Sequence, residues 1–344
     1  MIQEKYHRFL IVRTDRMGDV LLSTPVLTAI KQGYPHAETT MLIRDYTKDL
    51  ISGHPDLDHY LIDDEQGIFG LFKLAKKLRS KKFDVALVLH PTFRLALACV
   101  LAKIPTRIGT AFRLYAFLFN KQVRLHRKNA GRHERDLNLE MAEKIGAKAE
   151  NVVFKFYIPD RAVQRVKSIL AQKGIDENSP FVVIHPGSGG SALDWPLQKF
   201  GRLAQKIQND LNIPVVLTGS SSEAGLVSQV QKAANNRCIR VDGELATKEL
   251  AALLKRATLM IANSTGPLHL AVAVGTNVVG LYCPIVPCRP ERWGPYGQLD
   301  SVIMPPTSKC KTQKPKNREA GNCMDLISVD QVFKFVRKKL TNVK

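Results

Sequence analysis

Nothing in this chain approaches the roughly twenty consecutive apolar residues of a membrane span. The segment from Met1 to Arg8 is polar and lacks the basic and apolar blocks of a secretory signal. A cytoplasmic protein is therefore expected, its membrane contact limited to peripheral, electrostatic attachment. Aromatic residues are few, at 7% with two tryptophans, and no nucleic-acid recognition motif is present. Nucleic acid is thus not the expected partner. No two of the six cysteines have the two-residue spacing of a zinc knuckle. Cys99, Cys238 and Cys283 read as core thiols. Cys288, Cys310 and Cys323 read as unpaired thiols, with a metal site as the alternative.

Acidic residues are also scarce relative to basic ones: 31 against 51, a net charge of +20. Such a surface attracts polyanions, whether nucleic acid, an anionic membrane face or a phosphorylated substrate. The cations cluster at Lys73–Lys82, at Lys121–Arg135 and at Lys309–Arg318. The 344 residues suggest two domains, and a hydrophobic fraction of 44% provides a core for each.

Short apolar runs alternate with helix-like segments along both halves. In the first half, 9–12, 40–43, 60–62 and 85–89 read as strands. Val20, Leu21, Val26, Leu27 and Ile30 suggest one helical face, and Phe69, Phe72, Leu74, Ala75 and Leu78 another, with lysines opposite. In the second half, 181–184, 215–218, 259–262 and 278–281 read as strands. The alternation predicts an α/β fold of two Rossmann-like domains facing a central cleft. The boundaries expected are a first domain over 1–155, a second over 156–325, and a closing helix over 326–344 packed back on the first domain.

In such sheets ligands bind beyond the carboxyl ends of the strands, which singles out three loops. The first is Arg13-Thr14-Asp15-Arg16-Met17-Gly18-Asp19. Asp19 suits a helix N-cap and equally a general base for a hydroxyl nucleophile. Asp15 is the competing carboxylate. Arg13 and Arg16 would attract an anionic substrate and keep Asp19 ionised. The second loop is His185-Pro186-Gly187-Ser188-Gly189-Gly190, whose backbone N–H groups suit phosphate oxygens or form a plain glycine turn. It is neither a Walker loop nor a dinucleotide fingerprint. The third runs from Asn263 to His269. Ser264, Thr265 and Gly266 stand at a helix start, a natural diphosphate site. His269 is a hydrogen-bond donor to a leaving group or a core histidine. Glu223 is an acceptor for ribose hydroxyls or a surface glutamate.

The segment from Arg13 to Pro25 resembles the N-terminal signature of glycosyltransferase family 9, the bacterial lipopolysaccharide heptosyltransferases. His185 to Gly190 with Trp195-Pro196 is similar to that family's second signature, and Asn263 to Ala271 to its third. The resemblance implies a GT-B fold and inverting transfer without metal or other cofactor. ADP-heptose would be the donor and the Kdo or heptose of the lipopolysaccharide inner core the acceptor. It casts Asp19 as base. Gly187, Ser188, Gly189, Glu223, Ser264, Thr265, Gly266 and His269 fall to the donor, and Arg13, Arg16, Arg132 and His133 to the acceptor. Ser264 stands where the family usually has an acidic residue, and Leu193 and Asp194 where it often has a basic one. Lys199 or Arg16 would then supply the missing phosphate contact. The alternatives are a transferase of this fold with another donor, or a non-catalytic binder of nucleotide-sugars or nucleic acid.

Overall fold

The computed structural model describes residues 5–127, 131–285, 288–306 and 323–341. The chain divides into two compact units, 1–157 and 158–344.

The first unit holds strands β1 (Arg8–Val12), β2 (Glu38–Ile43), β3 (His59–Ile62), β4 (Val85–Val88), β5 (Thr106–Thr110) and β6 (Lys121–Val123). Its helices are α1 (Met17–Leu21), α2 (Pro25–Gly33), α3 (Lys48–Ile51), α4 (Gly67–Ser80), α5 (Phe93–Leu101) and α6 (Glu134–Glu143). The strands form one parallel sheet in the order β3-β2-β1-β4-β5-β6.

The second unit repeats the plan. Its strands are β7 (Val182–His185), β8 (Val215–Leu217), β9 (Ile239–Arg240), β10 (Leu259–Asn263), β11 (Val278–Leu281) and β12 (Val302–Ile303). Its helices are α7 (Asp160–Gln172), α8 (Leu197–Leu211), α9 (Ala224–Ala233), α10 (Thr247–Arg256), α11 (Gly266–Ala273), α12 (Pro290–Trp293) and α13 (Val329–Thr341). The sheet order, β12-β11-β10-β7-β8-β9, is the same pattern, again all parallel. Each is the Rossmann order, in which the chain reverses direction between its first and fourth strands. Loops leaving those two strands diverge and open a ligand crevice.

The central strands are apolar on both faces, as a sheet covered by helices requires. Every residue from Phe9 to Val12 and from Val182 to His185 is buried. One core gathers Leu10, Val12, Leu42, Leu74, Leu78 and Leu95. The other gathers Ile184, Trp195, Phe200, Leu203, Ile261 and Leu281.

Four expectations are corrected. The apolar face from Val20 to Ile30 is two helices, because the backbone turns at Ser23 and Thr24 and Pro25 begins the second. On α4 the buried stripe is Gly70, Leu71, Leu74, Ala75 and Leu78, whereas Phe69 and Phe72 lie on the lysine side in solvent. The closing helix α13 was expected on the first half. Its apolar side, Val332, Phe333 and Val336, instead fills the second core beside α8. Trp195 Nε1 donates to Ile327 O at 3.0 Å, and Lys206 pairs with Asp330 at 2.8 Å. Within the basic run Lys121–Arg135, Arg127 and Arg135 are internal. Arg127 binds Glu134, Asn138 and Met141; Arg135 binds Asp136 and the Val152 carbonyl. The run Lys309–Arg318 and Cys310 lie outside the described residues.

Candidate active site

The first unit's loop leaves β1 at its sheet's switch point. Arg13 is its centre, buried to 2% exposure. Its Nη2 donates to Asp19 Oδ1 at 2.5 Å, its Nε to Asp15 Oδ1 at 2.8 Å, and its Nη1 to Glu134 Oε1 at 3.1 Å and Leu89 O at 3.4 Å. Burial alone would disfavour the cation, but Asp15, Glu134 and Asp19 together raise its pKa further. The guanidinium is thus a fixed positive charge holding three carboxylates. Burial, working against Arg13 and reinforced by the like charge of Asp19, pushes the Asp15 carboxyl up to about 6.

Asp19 is not a cap. It is the third residue of α1, whose N-cap position is Arg16, with no side-chain cap bond. Its Oδ1 is committed to Arg13; no bond involves its Oδ2 among the described residues. Gly18 is an ordinary helical residue, absent from the positive-φ positions. Two neighbours frame the loop. Tyr46 Oη donates to Asp15 O at 2.7 Å. Thr14 Oγ1 lies 3.2 Å from Nδ1 of His90, which leaves β4 on the other side of the switch point. Burial, helped by the nearby Arg13 charge, lowers the His90 pKa and favours its neutral ring.

The start of α6 closes this side. His133 is the N-cap, its Nδ1 accepting from Arg135 N at 3.2 Å. Glu134, fully buried, receives both Arg13 and Arg127. Glu134 is not among the residues that the sequence singles out. A signal for it exists: it occupies the apolar register of α6 with Leu137, Asn138 and Met141, and a charge in that register requires a buried partner. Arg132 is exposed and paired with Glu140. Arg16 is exposed, with no ion pair among the described residues.

The second unit's site is built mainly from neutral groups. The loops leaving β7 and β10, again the strands flanking the switch point, are knotted by Asn263 at 0% exposure. Asn263 Nδ2 donates to Pro186 O at 2.7 Å and Asp194 Oδ1 at 3.1 Å, and its Oδ1 accepts from Trp195 N at 3.0 Å. Ser191 Oγ bridges Ser188 O at 2.7 Å and Ser264 O at 3.0 Å. Ser188 Oγ donates to Ala192 O at 3.3 Å. Thr265 is the N-cap of α11, with no side-chain cap bond; Pro267 has no N–H and the Leu268 and His269 amides donate back to Thr265 O, which leaves the Gly266 amide at the helix start. His269 is buried one turn on.

The glycines of the second loop differ in purpose. Gly189 and Gly190 have φ of 55° and 72°, with open space where a Cβ would stand. Gly187 makes room for a neighbour: a Cβ there would lie 2.1 Å from Glu223 Oε1. Glu223 closes a capping box on Ser220 and sits 3.9 Å from His185 Nε2. Burial, against the pull of Glu223, lowers the His185 pKa. Asp194, one of the two residues standing where the family often has a basic one, serves as an acceptor for Asn263. Lys199 is turned to the Asp325 and Ile327 carbonyls instead of this loop. The Sγ atoms of Cys283 and Cys323 lie 3.6 Å apart, beyond disulfide distance. No group of three or more His, Cys, Asp or Glu capable of holding a metal occurs among the described residues.

Two parallel sheets of Rossmann order, each with its loops at the switch point, make this a two-domain α/β chain of the fold seen in GT-B glycosyltransferases. Residues 71–323 match the model of glycosyltransferase family 9 (heptosyltransferase), and the chain belongs to that family. It is 27% identical to the lipopolysaccharide core heptosyltransferase OpsX of Haemophilus influenzae, over 85% of this chain and 83% of that one. Among solved structures it resembles a family 9 glycosyltransferase of Veillonella parvula, with TM-score 0.84, 24% identity and 98% of both chains covered. It also resembles the Escherichia coli ADP-heptose lipopolysaccharide heptosyltransferase II, with TM-score 0.78, 21% identity, and 97% and 99% covered. The protein is therefore an enzyme of glycosyl transfer. No helix among the described residues is long and apolar enough to cross a membrane.

Proposed function

We propose that the enzyme moves a heptosyl group from ADP-heptose to a hydroxyl of the lipopolysaccharide inner core, on Kdo or heptose, inverting the anomeric centre. One observation carries this reading: Asp19 is held through Oδ1 by a buried, permanently charged Arg13, while Oδ2 is left for an acceptor hydroxyl. In a single displacement, Asp19 takes the acceptor proton, and the acceptor oxygen bonds to the anomeric carbon. The bond from that carbon to the diphosphate oxygen breaks, and ADP leaves with the electron pair.

The donor's diphosphate falls to Ser264, Thr265 and the Gly266 amide at the start of α11, and to the loop from Gly187 to Gly189 with Ser188. His269 serves the departing charge, and Glu223 the ribose. The transition-state charge is met without a metal or other cofactor. Arg16, Arg132 and His133, with Arg13 behind them, face the anionic acceptor. Because such an acceptor is lipid-linked, the enzyme works at the anionic cytoplasmic face of the inner membrane.

Replacing Asp19 with Asn keeps the Arg13 contact but removes the base. Transfer should fall by about 10²–10⁴-fold, with ADP-heptose binding by calorimetry unchanged. Normal turnover in that variant would remove Asp19 from the mechanism. A panel of ADP-, UDP- and GDP-sugars, read by thermal shift and product mass, tests the donor.

A further inference from the structure

The first unit carries a surface that the transfer reading does not use. Between residues 67 and 125 the sequence has twelve lysines and arginines and one acidic residue, Asp84. Asp84 is spent on the backbone amides of His7 and Arg8. The same stretch exposes large apolar side chains: Ile68, Phe69 and Phe72 at the start of α4, Phe93 at the start of α5, and Leu114 and Phe117 after β5. Phe69 is 87% exposed, Phe117 73%, and Leu114 wholly so. Apolar side chains gathered in this way mark an interaction surface.

Topology puts them on one edge. The start of α4 follows β3, the start of α5 follows β4, and residues 111–118 follow β5. In a parallel sheet all three lie at the carboxyl ends of the strands, the edge that also carries the Asp19 loop. They are fastened to one another. The Phe93 and Tyr115 rings meet edge-on at 5.9 Å, and Tyr115 Oη donates to Pro91 O at 2.7 Å. Arg94 forks onto Asp63 and reaches the Glu65 carbonyl below the start of α4. Along the solvent side of α4, Phe69 and Phe72 give way to Lys73, Lys76, Lys77 and Arg79. Arg113 stands exposed beside Leu114.

Apolar tips backed by cations match the layering of a bilayer surface, in which acyl chains lie beneath phosphates. Nucleic acid would satisfy the lysines and stack on phenylalanine, but it offers nothing to Ile68 and Leu114. We propose that this face docks on an anionic lipid bilayer, with Phe69, Leu114 and Phe117 entering the acyl boundary and the α4 cations meeting headgroup phosphates. The proposal rests on the transfer reading only for why a bilayer would lie beside Asp19; its test uses neither donor nor acceptor.

The full chain is sedimented with vesicles of three parts phosphatidylethanolamine to one part phosphatidylglycerol, and with phosphatidylcholine vesicles. Binding to the first, and weaker binding to the second, is expected. The variant Phe69→Ser/Leu114→Ser/Phe117→Ser should lose about tenfold or more in partitioning with an unchanged melting temperature. Lys73→Glu/Lys76→Glu/Arg113→Glu should lose the preference for phosphatidylglycerol. Failure of the wild type to sediment with the anionic vesicles overturns the proposal, as does equal sedimentation of the serine variant. So does a wild-type dimer that the serine variant makes monomeric, because the face would then belong to a second copy. Preference for an RNA oligonucleotide that displaces the vesicles would also end it. A wild type that binds vesicles but transfers no heptose sinks the transfer reading and leaves this one standing.

Discussion

The two halves share a strand order and place their loops at the same switch points, yet they solve opposite electrostatic problems. In the first, a buried guanidinium gathers Asp15, Asp19 and Glu134. In the second, a buried amide, Asn263, ties its loops together through neutral hydrogen bonds and one to Asp194. A carboxylate that must accept a proton has to be kept charged and oriented, which needs a fixed counter-ion. A site for a diphosphate needs donors, which backbone amides and hydroxyls supply. The same scaffold serves both because the sheet fixes only where the loops begin.

The contrast is broken most severely at Arg13. Arg13→Met roughly keeps the volume but leaves Asp15 and Asp19 without their cation and the fully buried Glu134 with Arg127 alone. Losing one partner of a buried ion pair costs about 3–5 kcal/mol, and a large drop in melting temperature should accompany near-complete loss of transfer. A variant that melts like the wild type would mean that the cluster is not held as described. Asn263→Ala tests the neutral side. It strands the Trp195 amide and the Pro186 carbonyl, at about 1–3 kcal/mol. Its kinetic signature should differ from that of Asp19→Asn: KM for the donor rises while kcat with saturating donor is largely kept. A kcat loss with unchanged donor KM would place Asn263 on the wrong side of the comparison.

Much of this architecture is legible in the amino-acid sequence. Both halves announce their central strands as apolar runs, and the three loops are the polar segments after them. Strands β6, β9 and β12 at the sheet edges escape because they are short, and β5 beside an edge because its Thr106-Arg107-Ile108-Gly109-Thr110 is mixed in composition; Lys121-Gln122-Val123 is held by pairing with β5 rather than by apolar pattern. Phe69 and Phe72 mislead because hydrophobicity is not burial, and the register of Leu71, Leu74 and Leu78 sets the buried stripe. In the site, Asp19 is legible but the cluster that holds it is not, since Arg13 and Glu134 are 121 residues apart. Long-range ion pairs leave no local pattern. Asn263 reads as part of a loop, though its importance lies in being the last, fully buried residue of β10.

The gentlest test concerns Asp15, which shares Arg13 with Asp19. Burial and the Asp19 charge raise its carboxyl from 3.8 to about 6, so the folded state holds this proton more tightly than the unfolded chain does. Its contribution to stability is therefore full below 3.8 and lost as pH rises through about 6. The same proton bears on the rate. Above about 6 an ionised Asp15 takes part of Arg13's charge. Below it, a neutral Asp15 leaves the guanidinium to Glu134 and Asp19, whose contact with Arg13 tightens at the expense of the incoming hydroxyl. Transfer should thus step down on acidification through this range, by roughly threefold to tenfold. Asp15→Asn imitates the neutral form at every pH. It should show the lower rate throughout, no step near 6, and a melting temperature that varies less between pH 4 and 7. If the step survives in Asp15→Asn, another group controls it, and the charged loop is not the pH-sensitive half of the enzyme.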